Sequence, residues 1–156
     1  MAELQHEAAT PRHAEELLGQ LRPADRDEVE AASGNVERVI RQSLAISDDP
    51  VAVRAADGGL IAIYGVAPVH LLSDQASPWL LGTARMQSNA KAVLRDAREY
   101  LAFARERYPR MMNYVDARNR SSIRWLRRVG FTLEPPAPFG VKGLSFHRFH
   151  SGFDNV

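Results

Sequence analysis

A chain of 156 residues with 45% hydrophobic and 25% charged side chains has the composition of one globular domain with room for a substantial core. It contains no cysteine, which excludes a disulfide framework, a thiol nucleophile and a thiolate metal site. Its net charge of +1 hides an asymmetry, because residues 1–50 hold five Arg against eleven acidic residues, and residues 85–128 hold twelve basic residues against four acidic ones. The basic half can face a phosphate-bearing ligand, nucleic acid or an acidic protein, or it can be an ordinary solvated surface.

Helix-start and helix-stop residues divide the first fifty positions. A strand is predicted over residues 2–9, followed by a helix that Thr10 caps and Pro11 opens. Residues 25–32 are predicted to form a short acidic helical turn, and Asn35 caps a further helix. The stop signals of this region are Pro23, Ser33-Gly34 and Asp48-Asp49-Pro50.

The middle of the chain alternates apolar runs with one long helical pattern. Three strands are predicted, over residues 51–55, 60–69 and 77–86. An Asp57-Gly58-Gly59 turn joins the first two of them as a hairpin. Residues 90–107 are predicted to form the longest helix, whose buried face holds Leu94, Ala97 and Leu101.

The stretch around Asn119 has the clearest local pattern. Residues 111–115 are apolar enough for a buried strand, and Asn119 is a good N-cap for the helix that follows. Gly130 suits the left-handed position that ends a helix. After a proline-rich loop, which cannot lie inside a sheet, an alternating segment over residues 143–150 predicts the last strand.

This order of elements, together with a helix that carries Ser122 and Leu126 and ends in Gly130-Phe131, resembles the GNAT-fold acyltransferases. The resemblance implies an α+β fold in a single domain over residues 1–156. Its sheet is expected to be mixed, with six or seven strands and about four flanking helices.

A closer resemblance covers nearly the whole chain. Residues 113–115 and the helix after Asn119, together with residues 27–44 and 78–100, look like phage proteins related to gene product 13 of T7-type podophages. This resemblance implies a link to virion morphogenesis. Together with Ser88, Leu126 and central strands that lack a base, it predicts a virion-associated or virion-assembly protein that has lost its catalytic machinery and serves as a docking component. The expected partners are other virion proteins, in the host cytoplasm during assembly and in the virion, with no membrane and no nucleic acid. The alternative is a working acetyl-CoA-dependent N-acetyltransferase.

The resemblance to acetyl-CoA enzymes also implies a phosphate-binding loop between the fourth strand and the long helix. The matching positions are residues 85–90, where Ser88 replaces an expected glycine. An ordinary loop, in which Ser88 or Asn89 caps the helix, explains the same residues. We therefore predict no cofactor and no tight binding of acetyl-CoA. Under the enzyme alternative, the cofactor-binding candidates are Arg85, Ser88, Asn89, Ala90 and Asn119.

Groups for acid–base chemistry are sparse. Where the resemblance implies a proton-donating Tyr, the chain has Leu126. Asp57 lies in a turn and Asp74 in a loop, which leaves Asp116, at the end of the fifth strand, as the one weak catalytic candidate. Its alternative role is to accept hydrogen bonds from Arg118 or from the helix start. No histidine has a ligand-spaced partner, so we predict no metal site.

A ridge of arginines is the candidate surface for a protein partner. Arg120, Arg124 and Arg128 are spaced four residues apart, so they share one side of the predicted helix. The planar fork of Arg suits carboxylates in an acidic interface. The alternative is a solvated helix face without a partner.

Overall fold

The computed structural model describes residues 3–153, which form one mixed sheet and five helices. The elements are β1 (Gln5–Ala8), α1 (Pro11–Gln20), α2 (Pro23–Ser33), α3 (Val36–Ile46), β2 (Asp48–Arg54), β3 (Leu60–Pro68), β4 (Gln75–Gly82), α4 (Met86–Arg107), β5 (Arg110–Asp116), α5 (Arg120–Val129), β6 (Thr132–Leu133), β7 (Ala137–Phe139) and β8 (Leu144–Ser151). The α+β class is confirmed, with eight strands where six or seven were predicted. No helix within the described residues is long and apolar enough to cross a bilayer.

The sheet has one parallel junction at its centre. The strand order is β1-β2-β3-β4-β5-β8-β6, with β7 also paired to β8. All of these pairs are antiparallel except β4 with β5, which pair only at Gln75–Arg110 and Ala76–Met111. Beyond those positions the two strands diverge, so the sheet opens into a wedge towards their carboxyl ends.

Helices cover both faces of the sheet. The first three helices pack on one face, where Leu17 and Ile40 join Ile63 in a buried cluster. On the opposite face, α4 and α5 cover clusters that include Leu101 and Phe131. Apolar spacing along each helix puts one stripe towards the sheet, and this burial is the main source of stability.

The N-terminal helices depart from the sequence predictions in one respect. Thr10 and Pro11 begin α1 as predicted, but α2 is a full helix of 11 residues rather than a short turn. Pro23 opens α2 instead of merely ending α1, because the first helical position needs no N–H donor. Gly34 ends it in the left-handed region, at φ 79°.

Other boundaries also shift. The segment Asp48–Pro50, predicted as a helix stop, already belongs to β2. The first strand is described only from Gln5 to Ala8, and residue 2 of the predicted strand lies outside the described residues. The predicted strand over residues 77–86 ends at Gly82, and α4 begins at Met86 rather than at residue 90.

A turn between β7 and β8 holds the end of α2. Pro138 lies in β7, which is tolerated because β7 pairs only with β8. Gly140 has a φ of 80°, and a Cβ at this position would lie 2.7 Å from the carbonyl oxygen of Ala31. The Val141 N–H donates to the Ala32 carbonyl at 3.2 Å. Close backbone contact therefore fixes α2 over the wedge.

Candidate active site

The wedge between β4 and β5 contains a cavity of about 330 Å³. It passes between the diverging strands, so its lining comes from both faces of the sheet. Val29, Val39 and Trp79 line it on the side of α2 and α3. Leu126 and Phe131 line it on the side of α4 and α5. A cavity of this size and apolar character is typical of a small-molecule site.

The edge of β4 that faces the cavity is partly open. Successive residues of an inner strand point their N–H and carbonyl groups alternately at one neighbouring strand and at the other. At the end of β4, the Thr83 N–H donates to the Ile61 carbonyl of β3. The backbone N–H and carbonyl groups of the even-numbered residues of β4 therefore point towards β5. Among these, the Pro78 carbonyl accepts from Asn113 Nδ2 at 2.9 Å. The N–H and carbonyl of Leu80 have no partner among residues 3–153.

Glu28 is the one charged residue in the lining. Its Oε1 accepts from the Asp116 N–H at 2.8 Å and from Asn119 Nδ2 at 3.3 Å. Neither bond uses Oε2, which has no hydrogen-bond donor within residues 3–153. Burial raises the pKa of Glu28 to about 8, and the neighbouring carboxylate of Asp25 adds to the rise. A carboxyl group with this pKa can take up a proton near neutral pH.

A buried polar network fills the gap between the ends of β4 and β5. Asp25 accepts from the Gly82 N–H at 2.8 Å and from Asn119 Nδ2 at 3.1 Å, and it pairs with Arg22 at 2.7 Å. Asn119 was predicted to cap α5, but its side chain makes no cap bond and turns to Asp25 and Glu28 instead. Its Oδ1, the atom that would cap the helix, accepts from the Arg22 guanidinium at 3.3 Å instead.

Arg22 spans the mouth of the wedge. Its N–H donates to the Gly82 carbonyl at 2.9 Å, and its guanidinium donates to the hydroxyls of Ser121 and Ser122 at 2.9 and 3.0 Å. The guanidinium also lies 4.6 Å from the centre of the Trp125 ring. Its Nε is buried and has no partner within the described residues. Because α4 and α5 both follow parallel strands, their N-termini lie at this same edge, which is therefore electropositive.

The candidate phosphate-binding residues do not form a loop. Ser88, Asn89 and Ala90 lie in the first turns of α4, so the prediction that Ser88 or Asn89 caps this helix is wrong. Asn89 Nδ2 instead donates to the Arg85 carbonyl at 2.8 Å. The Arg85 side chain lies over Gly59 and pairs with Asp57 at 2.9 Å, away from the wedge. No side chain caps the start of α4.

Asp116 lies beside the cavity rather than in its lining. Burial acts to raise the pKa of this carboxyl, but hydrogen bonds from the side chain and N–H of Arg118 outweigh that effect and hold it below the usual range. The Arg118 guanidinium binds both carboxylate oxygens, at 3.0 and 2.7 Å. A carboxylate held ionised in this way accepts a proton poorly, which favours a positioning role.

The remaining predicted site residues are placed as follows. Leu126 lines the cavity and carries no proton donor. Arg120, Arg124 and Arg128 are exposed on one side of α5, and none forms an ion pair among the described residues. Within residues 3–153, no group of three His, Asp or Glu side chains could hold a metal ion.

Sequence reasoning missed Glu28, Arg22 and the open edge at Leu80. The search for a base covered the central strands, whereas the carboxyl group comes from α2. One signal was available: Asp25 and Glu28 are three residues apart, on the same side as Val29, so two acidic groups share the apolar face of the helix. Acidic residues on a buried face indicate a polar site.

Comparison with known proteins places the fold. No protein-family model and no curated protein matches the chain. It is similar to the solved structure of an acetyltransferase of the GNAT family from Streptococcus pneumoniae, at 18% identity and a TM-score of 0.61 over 96% of this chain and 99% of that one. It is also similar to Ard1 from Thermoplasma volcanium, at 15% identity and a TM-score of 0.70 over 94% and 95% of the two chains. The spermidine N-acetyltransferase from Vibrio cholerae, solved with CoA and spermine, gives 12% identity and a TM-score of 0.65 over 94% of each chain. At these identities the likeness shows that the chain has the GNAT fold.

The prediction of a phage virion or assembly component is wrong. The similar structures are described as acetyltransferases, and no comparison supports a bacteriophage, virion or structural protein.

Proposed function

We propose that this protein is an N-acetyltransferase that transfers an acetyl group from acetyl-CoA to an amine. The observation that carries the proposal is the cavity that crosses the sheet at the β4–β5 wedge, with the Glu28 carboxyl on one side and the open β4 edge beside it. The fold alone does not imply catalysis. A base of suitable pKa in an apolar cavity adds the chemistry that amine acylation needs.

The residues present fit both ends of acetyl-CoA. The free carbonyl of Leu80 would accept from an amide N–H of an extended chain lying along β4, as it would from an added strand. At the mouth, the positive ends of the α4 and α5 dipoles would attract a phosphate group. Bound there, acetyl-CoA would supply the thioester carbonyl that the amine attacks.

Glu28 acts as the general base in this proposal. Its Oε1 is fixed by the Asp116 N–H and Asn119, which orients Oε2 for proton uptake from the amine. The Leu80 N–H is the donor available to a carbonyl oxygen in the cavity. The apolar lining excludes water, which protects a thioester from hydrolysis. Leu126, at the acid position, has no proton to give to the leaving thiolate. Because thiols ionise near pH ~8.5, the thiolate can leave without a general acid.

Calorimetric titration with acetyl-CoA tests the proposal. Leu94 lines the cavity on α4, so Leu94→Trp should fill the space and weaken binding at least tenfold. Lys91→Trp, an exposed position on the same helix, is the matched control and should leave the affinity unchanged. The proposal fails if the folded wild-type protein does not bind acetyl-CoA, or if both variants bind it as the wild type does.

The resemblance to proteins related to gene product 13 of T7-type podophages stays a prediction about family membership. It rests on stretches of sequence such as residues 113–115, and it is independent of the function proposed here.

A further inference from the structure

The half of the cavity that faces α2 and α3 has one charged group. Its polar side chains besides Glu28 are hydroxyls, including those of Ser33 and Ser43, and the indole of Trp79. Among residues 3–153, no Lys, Arg, His or Asp lines any part of the cavity. The acceptor therefore meets a single carboxyl group in an otherwise uncharged space.

Aromatic rings form one wall of this half of the cavity. Tyr114 and Phe139 stack with their ring centres 3.8 Å apart and their planes 13° apart, and Phe146 meets Phe139 edge-on at 5.3 Å. Trp79 lines the same half, and its Nε1 already donates to Ser47 Oγ at 2.7 Å. With that polar group satisfied, the ring presents an apolar surface to the cavity.

This lining discriminates between classes of amine. The carboxylate of an amino acid would be buried without a cationic partner, and a second ammonium of a polyamine would be buried without a second acid. The desolvation free energy of an unpaired buried charge exceeds the stabilisation from the contacts around it. An apolar body, in contrast, gains from burial against the aromatic wall.

We propose that the acceptor is an apolar primary amine with one amino group and no acidic group, of the arylalkylamine class. This inference rests on the proposed function, because it names the substrate of the same site. In the reaction, the amine nitrogen bonds to the acetyl carbon while the carbon–sulfur bond breaks. The sulfur leaves with the bonding electrons as thiolate, and the proton lost from nitrogen passes to Glu28.

The binding of three amines, measured in the absence of acetyl-CoA, tests the inference directly. The probes are 2-phenylethylamine, phenylalanine and spermidine, followed by calorimetry and by tryptophan fluorescence. We expect 2-phenylethylamine to bind at least tenfold more tightly than either of the others. Equal or tighter binding of phenylalanine or spermidine would overturn the inference, as would the absence of 2-phenylethylamine binding.

The protonation of Glu28 gives a second readout. Because the pKa of this carboxyl is raised to about 8, an ammonium bound beside it at pH 7 should displace its proton. The binding enthalpy should then vary with the ionisation enthalpy of the buffer. Glu28→Gln should abolish that variation, and an unchanged variation would show that the amine binds elsewhere.

Matched variants locate the acceptor. Phe139→Ala should weaken 2-phenylethylamine binding at least fivefold, whereas the exposed Phe103→Ala should not. Ser43→Asp adds a second acid to the lining and should raise spermidine affinity at least fivefold, while Gln42→Asp, exposed on the same helix, should not. If each variant behaves like its control, the inference is wrong.

Failure of this inference is distinguishable from failure of the proposed function. Amine binding is measured without acetyl-CoA, so it reports only on the acceptor half of the cavity. A protein that binds acetyl-CoA and acetylates spermidine in preference to 2-phenylethylamine would keep the function and lose the inference.

Discussion

The replacement of Glu28 by Gln should change how stability depends on pH. Glutamine keeps an oxygen that can accept from the Asp116 N–H and from Asn119, so the contacts of the folded state survive while the titration is removed. In the wild type, burial raises the pKa of Glu28 from 4.5 to about 8. Between these values the unfolded chain has lost the proton that the folded protein still holds.

The sign and size follow from proton linkage. The folded state binds more protons in this window, so the free energy of unfolding falls as pH rises from 4.5 to 8 and is level above it. Each unit of pKa difference corresponds to about 1.4 kcal/mol, so the rise from 4.5 to about 8 gives a total on the order of 5 kcal/mol as an upper bound. Glu28→Gln should lack this decline and be the more stable protein at pH 8.5.

Urea unfolding of both proteins at pH 5, 6.5, 8.5 and 9 measures the effect. Subtracting one plot of unfolding free energy against pH from the other cancels the contributions that the other ionisable groups make equally to both proteins. Glu30→Gln, an exposed position on the same helix, is the control and should follow the wild type. If the difference between Glu28→Gln and the wild type is the same at pH 5 and pH 8.5, Glu28 does not titrate as described.

Three further substitutions test the core, a backbone contact and the basic ridge. Leu101→Ala should lower the free energy of unfolding by about 2–5 kcal/mol, because Leu101 lies on the buried face of α4. A loss no larger than that of surface substitutions would show that Leu101 is not part of the core. Gly140→Ala should cost about 1–3 kcal/mol more than Gly143→Ala, since both have positive φ but only the first meets backbone; equal costs in chemical denaturation would refute the contact. Arg124→Glu with Arg128→Glu should change stability by less than about 0.5 kcal/mol and reduce retention on phosphocellulose, and unchanged retention would show that the basic surface lies elsewhere.

Local patterns predicted the fold well wherever one strong signal was present. Thr10 with Pro11, Asn35 and Gly130 all act at helix ends as their chemistry suggests. The start of α4 was misplaced because residues 83–86 are apolar enough to read as a continuing strand. A short turn, in which the Met86 N–H bonds the Thr83 carbonyl, replaces the loop expected there.

The site was harder to predict because its parts come from distant segments. Asn119 has the sequence of a helix cap, and only the approach of α2 in the folded chain shows that its side chain binds Asp25 and Glu28. The open edge at Leu80 is a property of strand divergence, which no residue type signals. Glu28 was recoverable in principle, from its place on the apolar face of an acidic helix.

The release of free thiol from acetyl-CoA in the presence of 2-phenylethylamine tests the central claim most directly. The wild-type protein should release thiol at a rate that depends on the amine and rises with pH towards a plateau above pH ~8, because Glu28 must be ionised to accept the proton. Glu28→Gln should bind acetyl-CoA normally and react about 10²–10⁴-fold more slowly, the range that a general base contributes. A folded wild-type protein that releases no thiol with any amine would contradict the account, as would a Glu28→Gln variant of unchanged rate.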